Sequence, residues 1–435
     1  MSPNRLRVQP GGSLRGRARV PGDKSISHRA IMLGAIAEGV TEICGFLEGE
    51  DTLATRRAFE AMGVSIEDPG PQRLRIHGVG LRGLRAPAGP LFLGNSGTSM
   101  RLMAGLLAGQ AFDSDLTGDA SLCQRPMRRV VEPLARMGAV IETSAAGTAP
   151  LKVTGGRTLR GIDYELPMAS AQVKSCLLLA GLYAQGRTCV GERWPSRDHT
   201  ERMLPGFGYA LEREAGRTCL NGGGCLHGTT IEVPADLSSA AFFLVGAAIA
   251  PGSELLLEGV GVNPTRTGVI TVLREMGATI EVRARADQGG EPLADLAVRG
   301  ARLRGITIPE TLVPLTIDEL PALFIAAACA EGETLLSGAE ELRHKESDRI
   351  AVMAQGLNTL GIQAEPRAGG IRVVGGRPGG GRIESAGDHR VAMSFAIAAL
   401  RAATPIEIED CENIDTSFPG FAALARSLGL GIEAC

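Results

Sequence analysis

Apolar residues along this chain gather into six stretches of one design, starting near Lys24, Asn95, Ser170, Asp236, Asp318 and Asp388. Each opens on polar or small residues and runs into a segment rich in Ala, Leu and Ile. Beyond the first turn or two the segments are apolar on nearly all sides, which predicts buried helices with only their polar ends near water. A second pattern shares the period. Phe59-Glu-Ala-Met-Gly63-Val-Ser-Ile recurs as Leu134-Ala-Arg-Met-Gly138-Ala-Val-Ile and Leu273-Arg-Glu-Met-Gly277-Ala-Thr-Ile. Looser copies end at Gly208, Gly361 and Gly429. This is the signature of a helix stopped by a left-handed glycine and followed at once by a strand. Six copies, spaced roughly 70–85 residues apart, make a repeat.

Alternating stretches such as Arg73-Leu-Arg-Ile-His and Ile371-Arg-Val-Val supply strands. Each unit therefore holds a buried helix, strands and a more amphipathic helix. A chain of 435 residues suits two domains of about 200 residues each. Three units precede residue 238 and three follow it. Proline and glycine interrupt the pattern at Pro21-Gly22 and Pro234-Ala235. The predicted domains are 22–238 and a discontinuous one, 1–21 plus 239–435. The opening strand, Arg5 to Val8, is a candidate to pair with the C-terminal half.

Composition narrows the function. Apolar residues are 44%, charged residues 21% and aromatics 3%, with a net charge of −3. Neither a basic face nor stacking aromatics is present, so nucleic acid is not an expected partner. The nine cysteines form no Cys-x-x-Cys pair. Cys44, Cys176 and Cys329 lie in apolar runs and read as small buried hydrophobes. The spacing of Cys219, Cys225 and His227 fits no zinc motif, so no metal is expected. Met1 to Val8 holds no apolar signal core, and no stretch has the apolar length needed to cross a bilayer. A reduced, cytoplasmic setting is the expectation.

The polar helix starts carry the chemistry. Helix N-termini present free N–H groups and partial positive charge, and attract anions. Lys24, Ser25 and Arg29 stand at the first, Asn95-Ser-Gly97-Thr98 at the second, Ser170 and Gln172 at the third. Asp318 and Glu319 open the fifth, His389 and Arg390 the sixth. Loops add Arg125, Arg197, Lys345, Glu346 and Arg349. Taken singly, each charge reads as solvated surface. Converging, they make an anion-binding cleft, since the guanidinium fork grips carboxylate and phosphate with two bonds.

The motifs Pro21-Gly-Asp-Lys-Ser-Ile-Ser-His-Arg29, Leu93-Gly-Asn-Ser-Gly-Thr-Ser-Met-Arg101 and Gly118-Asp-Ala-Ser-Leu-Cys-Gln-Arg-Pro-Met127 resemble those of the 3-phosphoshikimate 1-carboxyvinyltransferase family. So do Ser170-Ala-Gln172, Ile317-Asp-Glu-Leu-Pro321, Lys345-Glu-Ser-Asp-Arg349 and Gly387-Asp-His-Arg-Val-Ala-Met393. They span about residues 20 to 420 in family order. The resemblance implies an α/β fold, a two-domain inside-out α/β barrel in which each domain holds three βαβαββ-like repeats with buried parallel helices. It implies transfer of the enolpyruvyl group of phosphoenolpyruvate to the 5-hydroxyl of shikimate 3-phosphate, in the shikimate pathway to aromatic amino acids. Partners are then the two small-molecule substrates, with no cofactor, no membrane and a monomeric chain. Together the substrates carry five to six negative charges, and two like charges 5 Å apart repel by about 3 kcal/mol at a dielectric near 20.

The same resemblance implies residue roles. Lys24, Ser25, Arg29, Ser170, Ala171, Gln172 and Arg197 would hold shikimate 3-phosphate, with Asp318 and Lys345 at its ring hydroxyls. Lys24, Gly97, Arg125, Gln172, Arg349 and Arg390 would hold phosphoenolpyruvate. Asp318 is the candidate base for the 5-hydroxyl, and Glu346 the candidate proton donor to the methylene carbon, with Lys24 sharing in the transfers. Otherwise Asp318 would be a helix cap and Glu346 an ordinary ion-pair partner of Lys345 or Arg349. Substrate binding is expected to draw the domains together and expel water. Ser417 stands where many members carry a lysine, and Cys123 where many carry another small residue. The family is the glyphosate target, and Gly97 stands where some insensitive members have alanine. The sister family, UDP-N-acetylglucosamine 1-carboxyvinyltransferase, lacks the Lys-Ser-x-x-x-Arg opening of Lys24 to Arg29. The alternative from another class is a non-catalytic anion-binding protein, which needs no acid–base pair.

Overall fold

A computed structural model describes residues 4–435 except Ala215 and Gln288. Its helices are α1 (Lys24–Ala35), α2 (Glu50–Ala61), α3 (Gly97–Ala108), α4 (Arg128–Arg136), α5 (Ala171–Gly181), α6 (His199–Gly206) and α7 (Leu237–Ile249). They continue with α8 (Gly268–Glu275), the single turn α9 (Val313–Thr316), α10 (Leu320–Ala328), α11 (Arg349–Thr359), α12 (His389–Ala398) and α13 (Phe421–Ser427). The six apolar stretches are α1, α3, α5, α7, α10 and α12. Every residue of α7, α10 and α12 is buried. These helices have no polar side to show to water, so their stability lies in packing.

The alternate helices α2, α4, α6, α8, α11 and α13 end in the predicted glycines. Gly63, Gly138, Gly208, Gly277, Gly361 and Gly429 have φ of 89°, 96°, 79°, 103°, 77° and 110°. A β-carbon is disfavoured there, and each glycine turns the chain into a strand.

Each repeat forms its own small sheet. In the first, Thr230–Glu232 runs parallel to Glu38–Cys44, which pairs antiparallel with Arg73–Val79, and that with Ser65–Gly70. The same order recurs in the sheets centred on Ser114–Thr117 and Leu151–Thr154, and on Arg187–Gly191 and Arg217–Asn221. In the other half of the fold two further sheets follow the scheme, and a third, centred on Glu333–Leu336 and Gly370–Val374, has three strands with only an isolated parallel bridge, Thr307 to Leu335, in place of the outer strand. Leu6–Val8 supplies an inner strand of the last repeat's sheet, antiparallel to Ile406–Glu409 and to Ile432–Ala434. Arg15–Ala18 lies parallel to Glu254–Gly261.

The chain divides into two compact units. The inserted unit is Gly22–Val233 with Asp287–Glu291; the split unit holds the residues up to Pro21, Pro234–Ala286 and Pro292–Cys435. Each has its own continuous apolar core. Asp236 caps α7 and α7 packs in the split core, so the division falls at Pro234, ahead of residue 239. The short segment 287–291 groups with the inserted unit through contacts such as His199 Nδ1 to Glu291 Oε1 at 2.7 Å.

The cysteines depart from the sequence reading. Cys176 is buried, but Cys44 and Cys329 are only partly so. Cys189 and Cys219 form a disulfide, which differs from the fully reduced set expected. They are directly opposed residues on antiparallel strands, with Cα atoms 4.1 Å apart, so backbone register alone brings them together. The Cys225 Sγ lies 3.4 Å from His227 Nε2. No cluster of three or more metal-binding side chains occurs among the described residues. No single helix among them is long and apolar enough to cross a membrane.

Candidate active site

The inserted unit presents three polar helix starts. Asp23 caps α1 by accepting from the Ile26 amide at 2.9 Å. Lys24 Nζ lies 3.0 Å from Asp51 Oδ2 on α2. Arg29 is buried, and its donors meet neutral oxygens: Thr200 Oγ1 at 2.7 Å, the Ser25 carbonyl at 2.9 Å and Ser175 Oγ at 2.8 Å. Burial pushes the Arg29 guanidinium down to about 10; Glu201 and Asp23 pull against this, and the charge of Arg197 adds to it. A buried guanidinium held by dipoles near a second cation favours an incoming anion. Next to it, His28 donates to or accepts from Thr55 Oγ1 at 2.8 Å and lies 3.4 Å from Ser96 Oγ. Burial, then Lys24 and Arg29, hold the imidazole well below its usual range, so it is neutral. It ties the starts of α1 and α3 to α2.

Ser96 caps α3 by accepting from the Ser99 amide at 3.1 Å. A β-carbon on Gly97 would lie 3.1 Å from Arg101 Nη1 and 3.2 Å from Arg125 Nη1. Glycine there leaves room for two guanidinium ends. Arg101 Nη1 donates to Gln172 Oε1 at 2.5 Å, and Gln172 Nε2 donates to Thr98 Oγ1 at 3.0 Å. Arg125 donates to Asn95 Oδ1 and, at 3.3 Å, to Ser121 Oγ. Ser170 caps α5, so Ala171 and Gln172 are its first residues. Arg197, half-buried, lies in the loop before α6.

Among the expected residues of this unit, Gly97, Arg125 and Gln172 form one cluster, and Lys24, Ser25 and Arg29 form a second on α1. Arg101 joins the first cluster, although the sequence marked it only as the end of a motif. Asp51 was missed because a first-turn acid on an amphipathic helix looks like an ordinary dipole partner. Lys174 was missed too, although a lysine just ahead of an apolar run was a legible signal.

In the split unit Asp318 is not a cap. α10 begins at Leu320, with Glu319 in the cap position. The Asp318 carboxylate instead lies 3.5 Å from Lys345 Nζ and 3.4 Å from Arg349 Nη1. Arg390 Nη1 donates to the Asp318 carbonyl at 2.9 Å. Glu346 Oε2 is 2.6 Å from Arg349 Nη2, so the ion pair with Arg349 is present. Arg349 is buried and also donates to Asp388 Oδ2 at 2.8 Å. Burial disfavours its charge, but Asp388, Glu346 and Asp318 outweigh that and raise its pKa. Burial likewise opposes ionisation of Asp388, and Arg349 overrides it, leaving the carboxyl below its usual range. Asp318, Lys345, Glu346, Arg349 and Arg390 are thus gathered together.

The fourth helix start, not singled out from sequence, is a buried ion cluster: Arg266 Nη2 lies 3.0 Å from Asp236 Oδ1 and 3.6 Å from Glu319 Oε1. Ser417, at the departure from the family lysine, is buried at the end of a short helical turn.

This layout, six buried helices opening on charged clusters, has the fold of the enolpyruvyl transferases. The enolpyruvyl transferase NikO from Streptomyces tendae superposes with a TM-score of 0.80 at 18% identity, covering 100% of this chain and 99% of that one. Residues 8–424 match the family described as EPSP synthase (3-phosphoshikimate 1-carboxyvinyltransferase), and the chain belongs to that family. It is 68% identical over 427 residues to the 3-phosphoshikimate 1-carboxyvinyltransferase of Alkalilimnicola ehrlichii, covering 98% of this chain and 96% of that one. It is 68% identical over 424 residues to that of Methylococcus capsulatus, covering 98% and 97%. EPSP synthase from Acinetobacter baumannii has a TM-score of 0.88 at 57% identity, with 99% of each chain covered.

Proposed function

We propose that this chain transfers the enolpyruvyl group of phosphoenolpyruvate to the 5-hydroxyl of shikimate 3-phosphate, releasing phosphate. Its near full-length identity to proteins of that name supports the reading. The observation that carries it is the cluster of Asp318, Lys345, Glu346 and Arg349, an acid–base set that a simple anion binder does not need.

In this reading Arg29, Arg197, Ser170, Ala171 and Gln172 hold shikimate 3-phosphate, with Lys24 and Ser25. Arg125, Arg349, Arg390, Gly97 and Gln172 hold phosphoenolpyruvate, with Lys24. Glu346 gives a proton to the methylene carbon, which makes the neighbouring carbon electrophilic. Asp318 takes the 5-hydroxyl proton as that oxygen attacks, and Lys345 steadies Asp318. The tetrahedral intermediate then returns a methyl proton to Glu346 and expels phosphate, restoring the double bond. Lys24 shares in these transfers. The same reading makes the protein a cytoplasmic monomer that works without a cofactor.

Phosphate release by purified protein supplied with phosphoenolpyruvate and shikimate 3-phosphate is the test. Turnover with this acceptor and none with UDP-N-acetylglucosamine is expected. Release with the nucleotide sugar alone, or with neither acceptor, would overturn the reading.

A further inference from the structure

Lys174 stands two residues after Gln172 on α5, ahead of the apolar run Cys176–Ala180, and is 1% exposed. An ammonium this deep is costly unless it is paired. Its Nζ lies 2.6 Å from Glu192 Oε1, 2.9 Å from Glu201 Oε1 and 3.4 Å from the Ser196 carbonyl. Burial works to discharge it, but Glu201 and Glu192 outweigh burial and raise its pKa, so it remains charged.

The second oxygen of Glu192 accepts from the Ser196 amide at 3.2 Å and from Ser196 Oγ at 2.5 Å. The loop from Glu192 to Ser196 is therefore folded back onto the buried ammonium, and Arg197 follows directly. Glu201 lies beside Thr200, whose hydroxyl accepts a hydrogen bond from Arg29 Nε and donates to Ser175, the residue after Lys174. One buried charge thus ties together the start of α5, the Arg197 loop and the setting of Arg29. Apolar side chains packed in place of a buried ion cluster are often as stable, so stability alone does not call for this arrangement.

We infer that Lys174 is a positioning residue that sets the Arg197 loop and Arg29 for the phosphorylated acceptor, without touching the substrate itself. This rests on the function proposed above.

Steady-state kinetics of Lys174→Met, Lys174→Arg and Ser196→Ala test it, with each substrate varied in turn. Lys174→Met should raise KM for shikimate 3-phosphate about 10-fold or more, while KM for phosphoenolpyruvate and kcat stay within about 3-fold. Lys174→Arg should recover most of the loss. Ser196→Ala keeps the ion cluster and loses one tether, so it serves if Lys174→Met fails to fold; it should shift the same KM about 3-fold. The chain's single tryptophan, Trp194, lies exposed in this loop. Its fluorescence, titrated with shikimate 3-phosphate, should weaken in apparent affinity in parallel. An unchanged acceptor KM in folded Lys174→Met or Ser196→Ala, or equal shifts in both KM values, would sink the positioning role. Absence of wild-type turnover with shikimate 3-phosphate would instead sink the functional reading.

Discussion

Arg29, Arg101 and Arg125 of the inserted unit meet hydroxyl, carbonyl and amide oxygens, whereas Arg349 and Arg266 of the split unit meet carboxylates, and Arg390 there meets a backbone carbonyl. Arg29 leans on two hydroxyls and a carbonyl, Arg101 reaches the amide of Gln172, and Arg125 that of Asn95. Arg349 meets Asp388, Glu346 and Asp318, and Arg266 meets Asp236 and Glu319. Neutral partners fix a guanidinium's direction without cancelling its charge, as the two hydroxyls and the carbonyl do for Arg29. Carboxylate partners offset the charge, and in the proposed reading Asp318 and Glu346 are held in place by it for proton transfer. In the proposed reading, anion binding at Arg29 and acid–base chemistry at Asp318 and Glu346 are built from different local contacts on the same repeat.

The comparison breaks first at the carboxylates. Asp318→Asn or Glu346→Gln should lower kcat by about 10²–10⁴-fold while shikimate 3-phosphate still binds, as read by phosphate release and by Trp194 fluorescence. Equal turnover would remove that residue from the mechanism. Next is stability. Asp388→Ala leaves Arg349 buried without its fully buried carboxylate partner and should cost about 3–5 kcal/mol in urea unfolding. Asp388 has a depressed folded pKa, so its contribution is present above about pH 4 and is lost as pH falls through the folded value. The variant should lack that part of the wild-type acid sensitivity.

Gly97→Ala probes the neutral-partner side. Its β-carbon would press on the ends of Arg101 and Arg125, so KM for phosphoenolpyruvate should rise about 10-fold with acceptor KM little changed. An equal rise in both would show a general distortion. The smallest effect belongs to His28. Its folded pKa is depressed, so the unfolded chain binds the extra proton as pH drops below about 6.5. Stability should then fall by up to about 1.4 kcal/mol per pH unit, and His28→Asn should flatten that slope.

The sequence revealed the repeat more fully than the site. Six glycine-terminated helices and six apolar ones were legible because periodicity and left-handed turns are local properties. Helix starts were placed within two residues, as at Asn95 against Gly97 and Asp318 against Leu320. What stayed hidden depends on long-range register. Arg101 and Gln172 are 71 positions apart, and Asp388 and Arg349 are 39 apart. The Cys189–Cys219 pair follows from which strands neighbour each other, which spacing alone does not disclose. Lys174 showed its charge in the sequence, but its partners lie on a loop and another helix.

The strand Leu6–Val8 has a consequence for how the protein is made. It is synthesised before the rest of this fold, yet both its neighbours lie beyond residue 405. The inserted unit, whose first sheet is closed by Thr230–Glu232, has nearly all its parts once synthesis passes residue 233. Maturation should thus be ordered, with the inserted unit compact while Leu6–Val8 waits, unpaired, for the residues beyond 405 to be made.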